Sequence, residues 1–206
     1  MISKKKTILY VGNDLFYATG YMSSMETLSR FFSKEGYKVY KTSSKKNKLA
    51  RILDTVAFAI SHRKKIDYIL IDTFSTKYYY YCLIVSMLSR ILKLPYIPIL
   101  RGGNLPYRLK NKFISRLIFS NSLVNVAPSN FLLEAFSKSG FKTIFIPNIL
   151  ELQNYDYYER KQKQPTLLWV RAFRRLYNPT MAIDVVRLLK KEYPSVKLCM
   201  VGPAKD

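Results

Sequence analysis

Two short stretches hold the arginines best placed to do chemistry. In "PILRGGNLPYRLKNKF", Arg101, Gly102, Gly103 and Asn104 follow an apolar run that ends at Leu100. A fork-shaped guanidinium beside backbone that a ligand can approach closely suits an anion or a sugar hydroxyl on the rim of a cleft. In "LLWVRAFRRLYNP", Arg171 comes directly after another apolar run, with Arg174 and Arg175 close behind. Guanidinium pairs bidentately with phosphate oxygens and a following helix N-terminus adds its dipole, so this loop suits a diphosphate. The alternative is an exposed basic loop. A third stretch, "VGNDLFYATGYMSSMETLSRFF", has Gly12 ending the first apolar run and Gly20 opening a helix, where free N–H groups favour an anion or a sugar hydroxyl. Gly20 reads equally as a turn glycine. The two glycines are eight positions apart and no G-x-G-x-x-G occurs, so the dinucleotide fingerprint is absent.

Other chemistries find little support. The one histidine, His62, is followed by Arg63, Lys64 and Lys65 and reads as a surface residue rather than a base. Cys82 and Cys199 lie 117 positions apart inside apolar runs, which argues against a zinc cluster or a disulfide framework and for two buried thiols in a reducing cytosol.

The elements that must position these residues recur in order. Apolar, β-branched or aromatic runs at Thr7 to Val11, Lys38 to Tyr40, Tyr68 to Ile71, Tyr96 to Leu100, Leu123 to Ala127 and Thr143 to Ile146 alternate with helix-length segments. Tyr21 to Glu35 is one such helix, with Met25, Leu28 and Phe32 on one face and Gly36 past its end. The alternation predicts an α/β fold, a doubly wound parallel sheet with helices on both faces. "PNILELQNYDYYERKQKQP" is polar and aperiodic and reads as a linker. After it, one strand-helix-strand unit follows, with Met181, Val185, Leu188 and Leu189 on one helix face, ending at "VKLCMVGPAKD". The expected organisation is a domain over residues 1–147, a linker over 148–165 and an incomplete second domain over 166–206.

Charge narrows the partners. The net charge is +22; through Ser120, 22 Lys and Arg stand against 6 Asp and Glu, and after it 13 stand against 7. Such a field attracts anionic membrane, phosphorylated ligands or nucleic acid, or is simply a lysine-rich surface. Tyr107 to Phe119 predicts a helix with Leu109, Phe113 and Leu117 on one side and Arg108, Lys112 and Arg116 on another, a basic face for anionic lipid or for water. The uncharged, strongly apolar run Tyr78 to Ser89 is 12 residues, short of the roughly 20 that span a bilayer. Ile8 to Val11 is too short for the apolar core of a signal peptide.

"TLLWVRAFRRLYNPTMAIDVVRLLKKEYPSVKLCMVGP" resembles the opening of the nucleotide-sugar-binding domain of family 4 glycosyltransferases. "VNVAPSNFLLEAFSKSGFKTIFIPN" resembles the close of that family's acceptor domain, and "ILYVGN", Gly20 and "LSRFFSKEGYKV" its opening. The resemblance implies a GT-B arrangement: a Rossmann-like acceptor domain, then the start of a second Rossmann-like domain that holds a UDP- or GDP-sugar, with metal-independent and usually configuration-retaining transfer to a glycan or lipid-linked acceptor. It implies Gly20 near the donor phosphates and acceptor, Arg101 to Asn104 on the acceptor side, and Arg171, with Arg175 beside it, at the diphosphate. It further implies a role in surface polysaccharide synthesis in the cytoplasm, at the inner face of the membrane. The sequence departs from the family pattern at Val170, where glycine is usual, at Asn178 and Pro179, where Lys-Gly is common, and at Arg101, where many members have histidine. The family's two sugar-holding glutamates would fall past Asp206, so little transfer is expected from this chain alone. The competing reading is a basic α/β module that binds nucleic acid, for which no recognised motif is present.

Overall fold

The computed structural model describes residues 6–12, 23–42, 47–159 and 166–204. The chain divides into two compact units, Met1–Leu150 and Glu151–Asp206.

In the first unit, six parallel strands, β1 (Thr7–Val11), β2 (Lys38–Thr42), β3 (Tyr68–Phe74), β4 (Tyr96–Arg101), β5 (Asn125–Ala127) and β6 (Thr143–Phe145), lie in the order β2-β1-β3-β4-β5-β6. This is the Rossmann-like α/β architecture that the alternating runs predict. The helices are α1 (Ser24–Lys34), α2 (Lys48–Ser61), α3 (Tyr78–Ile91), α4 (Lys112–Phe119) and α5 (Asn130–Lys138). Four start on a side-chain cap: Ser23, Asn47, Asn111 and Ser129 each accept a hydrogen bond from a first-turn backbone N–H, which stabilises each helix by about 1 kcal/mol.

The sheet has two unequal faces. Parallel crossovers are right-handed, so the one step that runs from β1 out to β2 puts its helix on one side, and every later step puts its helix on the other. Accordingly Ile8, Tyr10, Leu70 and Ile99 pack with Met25, Leu28 and Phe32 of α1. The alternate residues Leu9, Val11, Ile69, Ile71 and Leu100 pack beneath α2 to α5 in the larger core. An aromatic knot centres that core: Phe119 meets Phe136 at 4.9 Å and Phe141 at 5.5 Å between ring centroids, both edge-on.

One expected helix is divided. Instead of running unbroken from Tyr107 to Phe119, the chain forms a 3-10 turn over Leu105–Lys110 and then α4. Asn111 sits between them, its side chain capping α4 by accepting from the Ile114 N–H at 3.2 Å. Arg108 therefore does not share an outer face with Lys112 and Arg116. It is half-buried, donates from Nε to the Ser75 carbonyl at 2.6 Å and lies over the Tyr79 and Tyr80 rings. Lys112 and Arg116 are exposed. His62 is half-buried, its ring stacked on Phe58 at 4.0 Å.

In the second unit, β7 (Thr166–Val170) pairs in parallel with β8 (Lys197–Val201), joined through α6 (Pro179–Leu189). Burial alternates along both strands, because a single helix can cover only one sheet face. On α6 it is Ala182, Val186 and Leu189 that are half-buried, while Met181, Val185 and Leu188 are exposed. Cys199 falls on the uncovered face, so it is exposed rather than buried as expected; Cys82 is fully buried. Gly202 is required by close approach: a Cβ there would stand 1.6 Å from the Arg171 carbonyl oxygen, where the chain leaving β8 runs against the chain leaving β7. The Arg171 N–H donates to Val201 and the Phe173 N–H to Pro203 across the same seam.

Two outcomes test this description. Burial pushes the Cys82 thiol up to about 11, so a thiol reagent at pH 8 is expected to label Cys199 at once and Cys82 only on unfolding; rapid reaction of both contradicts the packing. Gly202→Ala is expected to separate the β7 and β8 ends and shift the emission of Trp169, the single tryptophan; an unchanged spectrum contradicts the close approach.

Candidate functional site

Strand order reverses direction at β1, and in open α/β sheets ligands bind outside the strand carboxyl ends at such a reversal. There Gly12 follows β1, Asp72 lies in β3 and Arg101 ends β4, with Phe74 and Arg101 in register. A Cβ on Gly12 would stand 2.8 Å from Asp72 Oδ2 and 2.9 Å from Met25 Sδ, so the bare backbone is what lets the Asp72 carboxylate lie against the end of β1.

Arg101 is tied at several points. Its Nε donates to Asp72 Oδ1 at 3.0 Å and its Nη1 donates to Asn148 Oδ1 at 2.6 Å, while Nη2 reaches the Tyr10 hydroxyl at 3.5 Å. Tyr10 in turn donates its O–H to Asp72 Oδ1 at 3.1 Å. The ion pair is well shielded, with only 10% of the Arg101 side chain and 5% of Asp72 exposed. Burial raises the Asp72 carboxyl above the ordinary range, and the Arg101 charge pulls it part of the way back. Burial likewise raises the Tyr10 hydroxyl, with the Asp72 charge adding to it, so tyrosine keeps its proton as donor. Burial opposes the charge on Arg101, but the Asp72 carboxylate more than offsets this and holds the guanidinium protonated.

Arg101 and Asn148 form part of the rim of a cavity of about 370 Å³ on the α1 side of the sheet. Its floor is Leu70, Ile97, Ile99 and Val126, and Leu28 and Phe32 of α1 and Ile146 to Ile149 form walls; Ser24 and Thr27 add hydroxyls. Among the described residues the arrangement is an apolar trough with the Arg101 cation and a few polar groups at its lip, the usual chemistry of a small-molecule site. Among the described residues nothing lies within 4 Å of where a Cβ on Gly102 or Gly103 would be, and Asn104 beside them is exposed. Gly20 lies outside the described residues.

In the second unit Arg171 is exposed directly after β7, its guanidinium carbon 4.8 Å from the Tyr177 ring centroid. Arg175 opens the short 3-10 turn Arg175–Tyr177. Asn178, in the left-handed conformation at φ 45°, then leads into Pro179, the first residue of α6. The loop thus sets arginines beside a helix N-terminus. Among the described residues, no three or more His, Cys, Asp and Glu side chains gather as a metal site would need.

Of the residues singled out by sequence, Arg101 is brought into a network and Arg171 and Arg175 share one loop. Asp72, Tyr10 and Asn148 were not anticipated. Asp72 had a visible signal, as the single charge inside the apolar strand "YILIDTF".

Removing one partner of a buried ion pair leaves an uncompensated charge, so Asp72→Ala is expected to cost about 3–5 kcal/mol in urea unfolding followed by circular dichroism. The double variant Asp72→Leu with Arg101→Met is expected to recover most of that loss. A cost for Asp72→Ala below about 1 kcal/mol, the usual size for an exposed pair, contradicts the buried network.

No family model and no curated protein matches the sequence. Solved structures do match. HepE from Anabaena, determined in complex with UDP and glucose, superposes with a TM-score of 0.60 at 15% identity over 96% of this chain and 61% of its own. The glycotransferase of kitacinnamycin gives 0.51 at 13% identity, over 96% of this chain and 66% of its own. The apo lipopolysaccharide outer core galactosyltransferase WaaB gives 0.53 at 11% identity, over 97% and 68%. The chain therefore spans about three fifths of HepE and about two thirds of the other two. Its fold is the Rossmann-like one of GT-B glycosyltransferases.

Proposed function

We propose that this chain is the acceptor-binding unit and the beginning of the donor-binding unit of a glycosyltransferase of the family 4 type, which uses a UDP- or GDP-sugar without a metal ion. The observation that carries the reading is the match to HepE, a protein solved with UDP and glucose, over 96% of the chain and so through both units. In this reading the trough beside Arg101 takes the acceptor, a glycan or lipid-linked sugar of surface polysaccharide synthesis. Arg101, kept charged and aimed by Asp72, donates to an acceptor oxygen, and the Gly102 and Gly103 backbone lets the sugar approach. Asn104 offers an amide at the same rim.

Arg171 and Arg175 pair with the donor diphosphate, helped by the positive end of the α6 dipole. When the bond from the sugar's anomeric carbon to the diphosphate oxygen breaks, negative charge grows on that oxygen. A fixed guanidinium stabilises that charge more than it stabilises the bound donor. Stacking on Tyr177 holds Arg171 in place at little further entropic cost.

The test is a titration of the purified chain with UDP and with GDP, read by Trp169 emission in the presence of a chelator. Saturable binding is expected, and Arg171→Ala is expected to weaken it about 10- to 100-fold, the loss of one hydrogen-bonded charge contact. Binding unaffected by that substitution, or tighter binding of RNA than of either nucleotide, contradicts the proposal.

A further inference from the structure

Helices α2 and α3 carry apolar residues on their outer sides as well as on the sides buried in the core. On α3, Ser86 and Ser89 are fully buried, with Ser89 Oγ donating to the Val85 carbonyl at 2.7 Å, while Tyr80, Ile84, Met87 and Ile91 are exposed. Those four positions are spaced i, i+4, i+7 and i+11, so they form one stripe about 16 Å long down the outer side of the helix. On α2 the residues Leu49, Leu53, Val56 and Ile60 repeat the same spacing. Leu49 is 72% exposed and Leu53 68%, Ile60 is exposed and Val56 half-buried. A surface helix normally turns its polar residues outward, and here neighbouring helices both turn aliphatic residues outward.

The two stripes form one surface. Both helices run antiparallel to the parallel strands they connect, so they lie parallel to each other. Arg51 bonds the Tyr78 hydroxyl near their N-terminal ends. Thr55 and Tyr81 share a hydrogen bond of 2.7 Å, and Arg63 Nε donates to the Leu92 carbonyl at 3.0 Å near their C-terminal ends. Beside the N-terminal end, a groove of about 130 Å³ is lined by Ile52, Tyr80 and Ile84 with Lys77 at its lip. The margin is basic: Lys77 at one end, Arg63, Lys64, Lys65, Arg90 and Lys93 at the other, with Asp54 the one carboxylate on the two helices.

We propose that the exposed face of α2 and α3 docks on an anionic lipid bilayer, with the two aliphatic stripes immersed among the acyl chains and the lysine and arginine margin at the phosphate level. Charge decides among occupants. A second copy of this chain would bring another +22 against the same basic margin, whereas anionic phosphates complement it. Tyrosine is suited to the boundary between acyl chains and water, where Tyr80 would sit. No helix among the described residues is long and apolar enough to cross a membrane, so the contact lies in the interface plane. The run Tyr78 to Ser89, too short to span, thereby acquires a use. The inference does not depend on sugar transfer, since a docking face can be lost while nucleotide binding persists.

The experiment is cosedimentation of the full chain with vesicles of phosphatidylglycerol and phosphatidylcholine in equal parts, and with phosphatidylcholine alone. Pelleting with the anionic vesicles only is expected. Ile84→Glu with Ile91→Glu is expected to lower the bound fraction at least tenfold with an unchanged circular dichroism spectrum, and Lys64→Glu with Lys65→Glu to lower it several-fold. Lys112→Glu with Arg116→Glu, on α4, is expected to leave binding in place. Failure to pellet, equal pelleting with both vesicle types, or undiminished binding by the Ile84→Glu and Ile91→Glu variant overturns the proposal. So does a dimer on size exclusion that the same variant dissolves without any vesicle binding. UDP titration of the vesicle-deficient variant separates this outcome from a failure of the glycosyltransferase reading.

Discussion

The handedness of the parallel crossover is the constraint from which the first unit follows. Among the described residues, one step outward from β1 and four steps back across the sheet put α1 on one face and α2 to α5 on the other. The crowded face becomes the core. The other face carries, among the described residues, the 11-residue α1 and a trough beside it. The same reversal brings the ends of β1, β3 and β4 together, so a carboxylate, a guanidinium and a phenol that are far apart in sequence become neighbours at the trough's polar end.

That polar end is costly to build, and its geometry is what offsets the cost. Two ions removed from water gain from each other only when their remaining hydrogen-bonding groups are also satisfied. Tyr10 and Asn148 supply those partners, and Gly12 leaves the room for the carboxylate. The outcome is a guanidinium with a fixed direction, which is more useful to a binding site than a flexible surface arginine because its ordering entropy has already been lost on folding. Asn148 also carries the first unit past Pro147, the expected end of the domain, and the compact unit closes at Leu150.

Much of this architecture was legible because buried parallel strands are written as short uninterrupted apolar runs. The strand-to-helix arginines were legible from position alone. The partners of Arg101 were not: Asp72 is 29 positions away and joins it only through the β3 and β4 register, which no local pattern encodes. The spacing of Arg108, Lys112 and Arg116 predicts one unbroken helix, whereas Asn111 between them caps α4 and divides it. The apolar run around Cys199 predicts a buried thiol, yet its side chain is exposed on the face of the β7–β8 sheet that α6 does not cover. The outward apolar stripes of α2 and α3 are the same lesson reversed, since periodicity finds an apolar face without saying which way it points.

The central claim, that this fold holds a nucleotide-sugar through the loop after β7, is tested most directly by hydrogen exchange of the purified chain with and without saturating UDP. The account predicts slowed exchange of the backbone amides from Arg171 into the first turn of α6, with α2 and α3 unchanged. Equal exchange at that loop, or slowing confined to α2 and α3, contradicts it.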